Sequence, residues 1–304
     1  MKKSVFMIAL AFGVSSAFAQ DLTSKKGEPI LPEAGDWAIS MDADPIFQFV
    51  GNAFNGSTSN GAPGAGFLNA NNTIIGKKFI DEKSAYRVLV RLGFTNQTTK
   101  AMIADATVTA APVYPAAPTM VEDKFASKNT KIGIGVGKEF RRGKTRLQGY
   151  YGADAMIWIS STGSKYTYGN ALATSGTVVT VASSTNFGTN LVANDGFGNA
   201  GRITKTKSGM TFGIGVRGFI GAEYFVFPKI SVGAEYGWGI GYQMSGKGKQ
   251  TVESINAGTT IGEVETETAG SSKFGFDTDV NQNTIFGIQG SNTGSASLRV
   301  TFHF

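Results

Sequence analysis

The chain has 304 residues, a formal net charge of +6, 41 glycines, 22 phenylalanines, one histidine and no cysteine. Disulfides are excluded, as is a lipid anchor on an N-terminal cysteine. The small positive excess gives no reason to expect nucleic-acid binding, and beyond the N-terminus no stretch has the apolar length of a membrane-spanning helix.

The first residues form an export signal: Lys2 and Lys3, an apolar run from Val5 to Val14, and an A-x-A cleavage site at Ala17-Phe18-Ala19. Removing 1–19 takes away two lysines and no acids, so the net charge of the remainder falls to +4. Residues 20–35 are polar with two prolines and read as a flexible periplasmic lead-in. Residues 36–304 show no composition shift that would mark a second folded unit.

Period-two alternation then recurs, which means strand, because successive side chains leave opposite faces of a pleat. The first strand is expected over 36–44, with Trp37, Ile39, Met41 and Ala43 outward, and Pro45 ends it. Ile46, Phe47, Phe49, Val50 and Phe54 break the alternation. They suggest a short apolar helix at a rim, either packing under its own side chains or docking another outer-membrane protein. A second strand over 72–80 has ambiguous facing, because Lys77 and Lys78 are adjacent. The third, 84–96, puts Tyr86, Val88, Val90, Leu92 and Phe94 on one face, with Arg87 and Arg91 on the other. The fourth, 129–141, carries Glu139 inward, and the fifth, 145–160, carries Arg146, Asp154, Met156 and Trp158 inward.

The clearest pair of strands lies in 208–242. Met210, Phe212, Ile214 and Val216 alternate with Thr211, Gly213, Gly215 and Arg217. In the second arm Ile230 to Tyr242 alternates in the same way, with Glu235 inward. The last strand, 294–304, has Leu298, Val300, Phe302 and Phe304 outward and Arg299 and His303 inward. Short turns at 81–83, 142–144 and 223–229 alternate with long connections at 45–71, 97–128, 161–207 and 243–293. The expected fold is all-β: one eight-stranded antiparallel transmembrane β-barrel with four long extracellular loops and three short periplasmic turns. Apolar faces about ten residues long, mostly glycine inner faces and aromatics near both ends suit such a wall.

The terminal Leu298-Arg299-Val300-Thr301-Phe302-His303-Phe304 resembles the signal that the outer-membrane assembly machinery reads, with Val300, Phe302 and Phe304 as its apolar positions. With the export signal and the eight-strand layout, the chain resembles the OmpA/OmpX-like barrels. The segments 42–47, 221–225 and 228–231 resemble the small barrels of Bacteroidota outer membranes. The resemblance implies an outer-membrane location in a Gram-negative bacterium, contact with lipid and with the assembly machinery, and no cofactor. The resemblance is expected to be to barrels without a peptidoglycan-binding domain after the last strand.

Three functions compete. The first is a non-enzymatic protein acting through its outer loops: surface contact, envelope integrity, or a subunit of a larger complex. The second is a narrow passive channel lined by arginines. The inward charges are Arg87, Arg91, Glu139, Arg146, Asp154, Arg217, Glu235 and Arg299, in which arginines outnumber acids. The bland reading of the same residues is a network of ion pairs filling the interior, with Arg217 and Glu235 as the preferred pair. The third is a lipid-modifying enzyme, and it is disfavoured. Its only histidine, His303, lies at the periplasmic end with no evident partner. Asp277, Asp279 and Asn281 have the spacing of a calcium loop, but Gln282 stands where that loop needs glycine.

Overall fold

The structure, a computed structural model, describes residues 22–24, 26–43, 52, 54, 56, 73–175, 178–180, 192–256, 260–278 and 297–304. Strands form where the sequence alternates: β1 (Trp37–Asp42), β2 (Ile74–Asp81), β3 (Ser84–Ala104), β4 (Met120–Arg142) and β5 (Leu147–Thr167). Next come β6 (Ala173–Ser175), β7 (Val178–Thr180), β8 (Val192–Asn194) and β9 (Ala200–Lys207). The order ends with β10 (Thr211–Phe227), β11 (Ile230–Ser245), β12 (Gly248–Asn256), β13 (Thr260–Thr268), β14 (Ser271–Thr278) and β15 (Ser297–His303). The fold is all-β and the pairings are antiparallel, as the alternation requires.

Thirteen strands share one sheet, and the sheet closes into a ring. Its pairings run β1–β2–β3–β4–β5, then β5–β10, β10–β11 and β11–β15, and β15 pairs with β1. On the edge of β5, β10 pairs from Leu147 to Ser160, and β9 takes over from Gly163 to Lys165. From β9 the sheet continues through β12 to β13. On β11, β15 pairs with Ile230–Glu235 and β14 with Trp238–Ser245.

Several expected boundaries are corrected. The connection over 97–128 is largely strand, since β3 and β4 stay paired to Ala104 and Met120. The connection over 243–293 contains β12, β13 and β14. Along β13 and much of the outer parts of β3 and β4 polar residues stand on both faces, so the apolar alternation that marks a strand fades while backbone pairing continues; β14 keeps it, with Phe274 and Phe276 exposed. The weak alternation near 177–181 does yield β7, paired with β6. The turn 223–229 shrinks to Pro228–Lys229, because β10 runs to Phe227. The ambiguous second strand is settled: Ile75, Lys77 and Phe79 point in, while Ile74 and Ile80 point out.

The described part of the lead-in 20–35, from Leu22, folds back over the turn end of the ring. Ile30 is fully buried, its amide bonds the Leu22 carbonyl, and its carbonyl accepts from the Lys229 amide at 3.3 Å. Lys229 sits at φ 62, which costs a non-glycine residue about 1–2 kcal/mol. It is held there by an ion pair to Asp36 and by its carbonyl accepting from the His303 amide at 2.7 Å.

The two faces of the ring differ sharply. Outward lie Tyr86, Leu92, Phe94, Ile134, Val136, Ile157, Ile214, Val216 and Ile240, with Val136 and Val216 each 58 % exposed. Inward lie charged residues and two apolar clusters, Ile75–Leu89–Met156–Trp158 and Ala38–Phe79–Ala85. Inner glycines make room for bulky neighbours. A Cβ on Gly213 would fall inside the Trp158 ring, and one on Gly237 inside the Arg217 guanidinium.

Candidate functional site: the charge network inside the ring

Each strand that contributes to the interior sends in a side chain at every second residue, so charges from six strands meet inside the ring. Arg87 on β3 grips Glu235 on β11 with two hydrogen bonds, 2.9 and 3.2 Å. It also lies 3.3 Å from Glu139 on β4, and its Nε lies 3.4 Å from Asp154 on β5. Arg217 on β10 joins the other side, 2.9 Å from Glu235 and 3.4 Å from Asp154. Phe219 stacks beneath both arginines, with the Arg87 guanidinium 3.7 Å from its ring centre. The expected pair Arg217–Glu235 is therefore present, and Arg87 shares its acid.

A second cluster lies nearer the turns. Lys77 on β2 reaches Glu139 at 2.8 Å, and Arg141 on β4 reaches Glu139 at 3.1 Å. Arg141 also pairs with Glu223 on β10, and Ser231 on β11 donates to Glu223 at 3.1 Å. His303 lies 3.3 Å from Ser231 and packs between Phe79 and Phe225. The absence of a partner for His303, expected from sequence, is thus corrected. A serine hydroxyl has one proton, and here Glu223 takes it, so His303 Nε2 donates to Ser231. A serine nucleophile needs the reverse, its proton aimed at the imidazole. The arrangement holds an imidazole in place and does not activate a hydroxyl.

Of the inward charges read from sequence, Arg87, Glu139, Asp154, Arg217 and Glu235 converge. Arg91 and Arg299 are buried in the interior as well, and Arg299 donates to the Thr73 carbonyl at 3.4 Å. Arg146 precedes β5 in the turn and is half-buried, and its guanidinium donates to the Val226 carbonyl at 3.5 Å. Sequence reasoning missed Lys77, Arg141 and Glu223. The parity of Glu139 and Arg217, carried on two and six residues, points to Arg141 and Glu223.

Four cations, Lys77, Arg87, Arg141 and Arg217, therefore meet four acids, Glu139, Asp154, Glu223 and Glu235. The expected excess of arginine does not hold within the contacting set. All eight side chains are 3 % exposed or less.

Below the network, a cleft of about 750 Å³ opens at the turn end between Leu22, Leu31 and Pro32 on one side and Lys83, Arg142 and Lys144 on the other. Among the described residues no cluster of histidine, aspartate and glutamate is arranged to hold a metal. Of the proposed docking rim, Ile46, Phe47, Phe49 and Val50 lie outside the described residues, and Phe54 is 90 % exposed. The calcium-like motif runs out of the described residues after Thr278, and its first two residues close β14. At the terminus, Phe302 and Phe304 are exposed on the outer face, 40 % and 64 %. No protein-family model, curated protein or solved structure matches the chain.

Proposed function

We propose that the chain is a non-enzymatic integral outer-membrane protein of a Gram-negative bacterium. It is an eight-stranded transmembrane barrel of OmpA/OmpX-like type, with Val300, Phe302 and Phe304 serving its assembly. The carrying observation is the inversion of the ring, which exposes Leu92, Val136, Val216 and Ile240 and buries Arg87, Arg217 and Glu235. Water would favour the opposite arrangement, whereas lipid favours this one. The closed path of strand pairs agrees with it, because an open edge in hydrocarbon leaves backbone groups unsatisfied.

The working part stands outside the membrane. A tilted strand crosses the hydrocarbon in about 9–11 residues. Strands β3, β4 and β5 have 21, 23 and 21 residues, so each runs about ten residues past what crossing needs. Those extensions, with β9, β12 and β13, offer a broad surface for contact with other cells, with the envelope or with a larger membrane complex. The filled interior favours this role over a conduit.

The test is fractionation followed by purification in mild detergent, with mass and co-purifying proteins recorded. A heat-sensitive, detergent-dependent protein in the outer-membrane fraction is expected. A chain that is monomeric in plain buffer overturns the reading.

A further inference from the structure

Beyond the apolar band, the outer face of the sheet turns basic. Lys128 on β4 pairs with Gly163 on β5, Gly163 pairs with Lys207 on β9, and Lys207 pairs with Lys249 on β12. One step further out, Lys165 on β5 pairs with Lys205 on β9. Residues directly opposite share a face, and like charges so placed are destabilising. Here Lys165 opposes Lys205 and Lys207 opposes Lys249. By parity, Lys128 continues the row of Ile132 and Ile134, and Lys165 the row of Ile157 and Ile159, so the patch faces outward.

Two of the five lysines are neutralised within the protein, Lys205 by Glu263 at 3.3 Å and Lys249 by Glu265 at 2.6 Å. Lys128, Lys165 and Lys207 are exposed and form no ion pair among the described residues. Between Lys128 and Lys207 stands Gly163, whose missing side chain leaves the gap open. Their backbones are two strand spacings apart, about 10 Å, while Lys165 and Lys207 are diagonal neighbours at about 7–8 Å. Flexible lysines at these separations converge on one or two phosphate groups.

We propose that Lys128, Lys165 and Lys207 bind the phosphates of a lipid in the outer leaflet, whose acyl chains run down over Ile132, Ile159 and Phe212. The proposal rests on the transmembrane reading above. The level is right for it. Gly163 lies four residues past Ile159, roughly 13 Å along the strand and about 10 Å in height at barrel tilt. Headgroups begin just above the hydrocarbon, and lysine stems bend down towards them.

The test uses the full protein, purified in mild detergent, stripped of lipid and shown to stay folded. Lipid A bearing two phosphates, the same lipid with its phosphates removed, and inorganic phosphate are added separately. Retention is read by native mass spectrometry. The phosphorylated lipid is expected to bind at least about tenfold more tightly than the dephosphorylated one. The variant with Lys128→Gln, Lys165→Gln and Lys207→Gln should lose that preference. A control with Lys100→Gln and Lys124→Gln, which removes lysines already held by Glu122, should keep it. Inorganic phosphate should not compete. Equal retention of both lipids by the unaltered protein, unchanged preference in the triple variant, or full competition by inorganic phosphate overturns the proposal. A protein that needs no detergent would bring down the transmembrane reading instead.

Discussion

Glu235 is the residue on which the interior turns, because Arg87 and Arg217 both depend on it. Replacing it by glutamine leaves two buried guanidinium groups short of an acid, and breaking a buried pair in this way costs about 3–5 kcal/mol. The expected result is a clear drop in the urea midpoint of the folded protein. Changing Arg217→Met together with Glu235→Leu should cost less than the two single changes added, since that pair then leaves no uncompensated charge between its own members. A Glu235→Gln variant within about 0.5 kcal/mol of the parent would show that the contacts are not held in solution. Gly213 tests packing rather than charge. Its Cβ would enter the rigid Trp158 ring, so Gly213→Ala should destabilise by about 1–3 kcal/mol. Gly262 has open space around it, so Gly262→Ala should leave the same midpoint nearly unchanged.

At the scale of elements, the N-terminal segment and the β10–β11 turn act together. Asp36 and Lys229 clasp them, and the Glu33 amide donates to Asp36 at 2.8 Å. Burial alone would raise the Asp36 carboxyl, but the hydrogen bond from Lys229, the Glu33 amide and the Lys229 charge outweigh it and hold the carboxyl below its usual 3.8. A depressed carboxylate stabilises above its unfolded value and loses that stabilisation as pH falls through the folded one. The clasp should therefore hold at neutral pH and release below about pH 3.8. The chain has no cysteine of its own, so a fluorophore on Leu22→Cys reads the release directly. Asp36→Asn should free the segment at neutral pH, and a label insensitive to both acid and Asp36→Asn would contradict the coupling. None of this was legible in the sequence, where 20–35 looks only polar and proline-broken. Strands with one apolar face were legible, as at Tyr86–Phe94 and Met210–Val216, because apolar side chains on one face and small or charged ones on the other leave a period of two. Strands exposed on both faces, such as β13, carry no such signal. The inward position of Arg217, Glu235 and Asp154 followed from parity alone. Their convergence with Lys77, Arg141 and Glu223 did not, since parity fixes a face but not which charges across the ring can touch.

At the scale of the whole molecule, the balance of charge decides between filler and conduit. An anion pathway needs unspent positive charge along its length. Within the network, four cations face four acids, and the acids that would repel an anion lie between the arginines that would attract it. Space points the same way. In the proposed eight-stranded barrel the wall would enclose little more than its own side chains. Here Ile75, Leu89, Met156 and Trp158 form a cluster, each 3 % exposed or less, while Phe79, His303 and Phe225 pack together near the turns. An ion would have to cross both apolar layers and the neutral network between them without its hydration shell. The protein in planar bilayers should therefore show no step-like conductance. Arg217→Ala should destabilise it, by leaving Glu235 and Asp154 short of a cation, before it conducts. Discrete anion-selective steps in the unaltered protein, lost when Arg217 is replaced, would reverse the argument and make the arginines the wall of a channel.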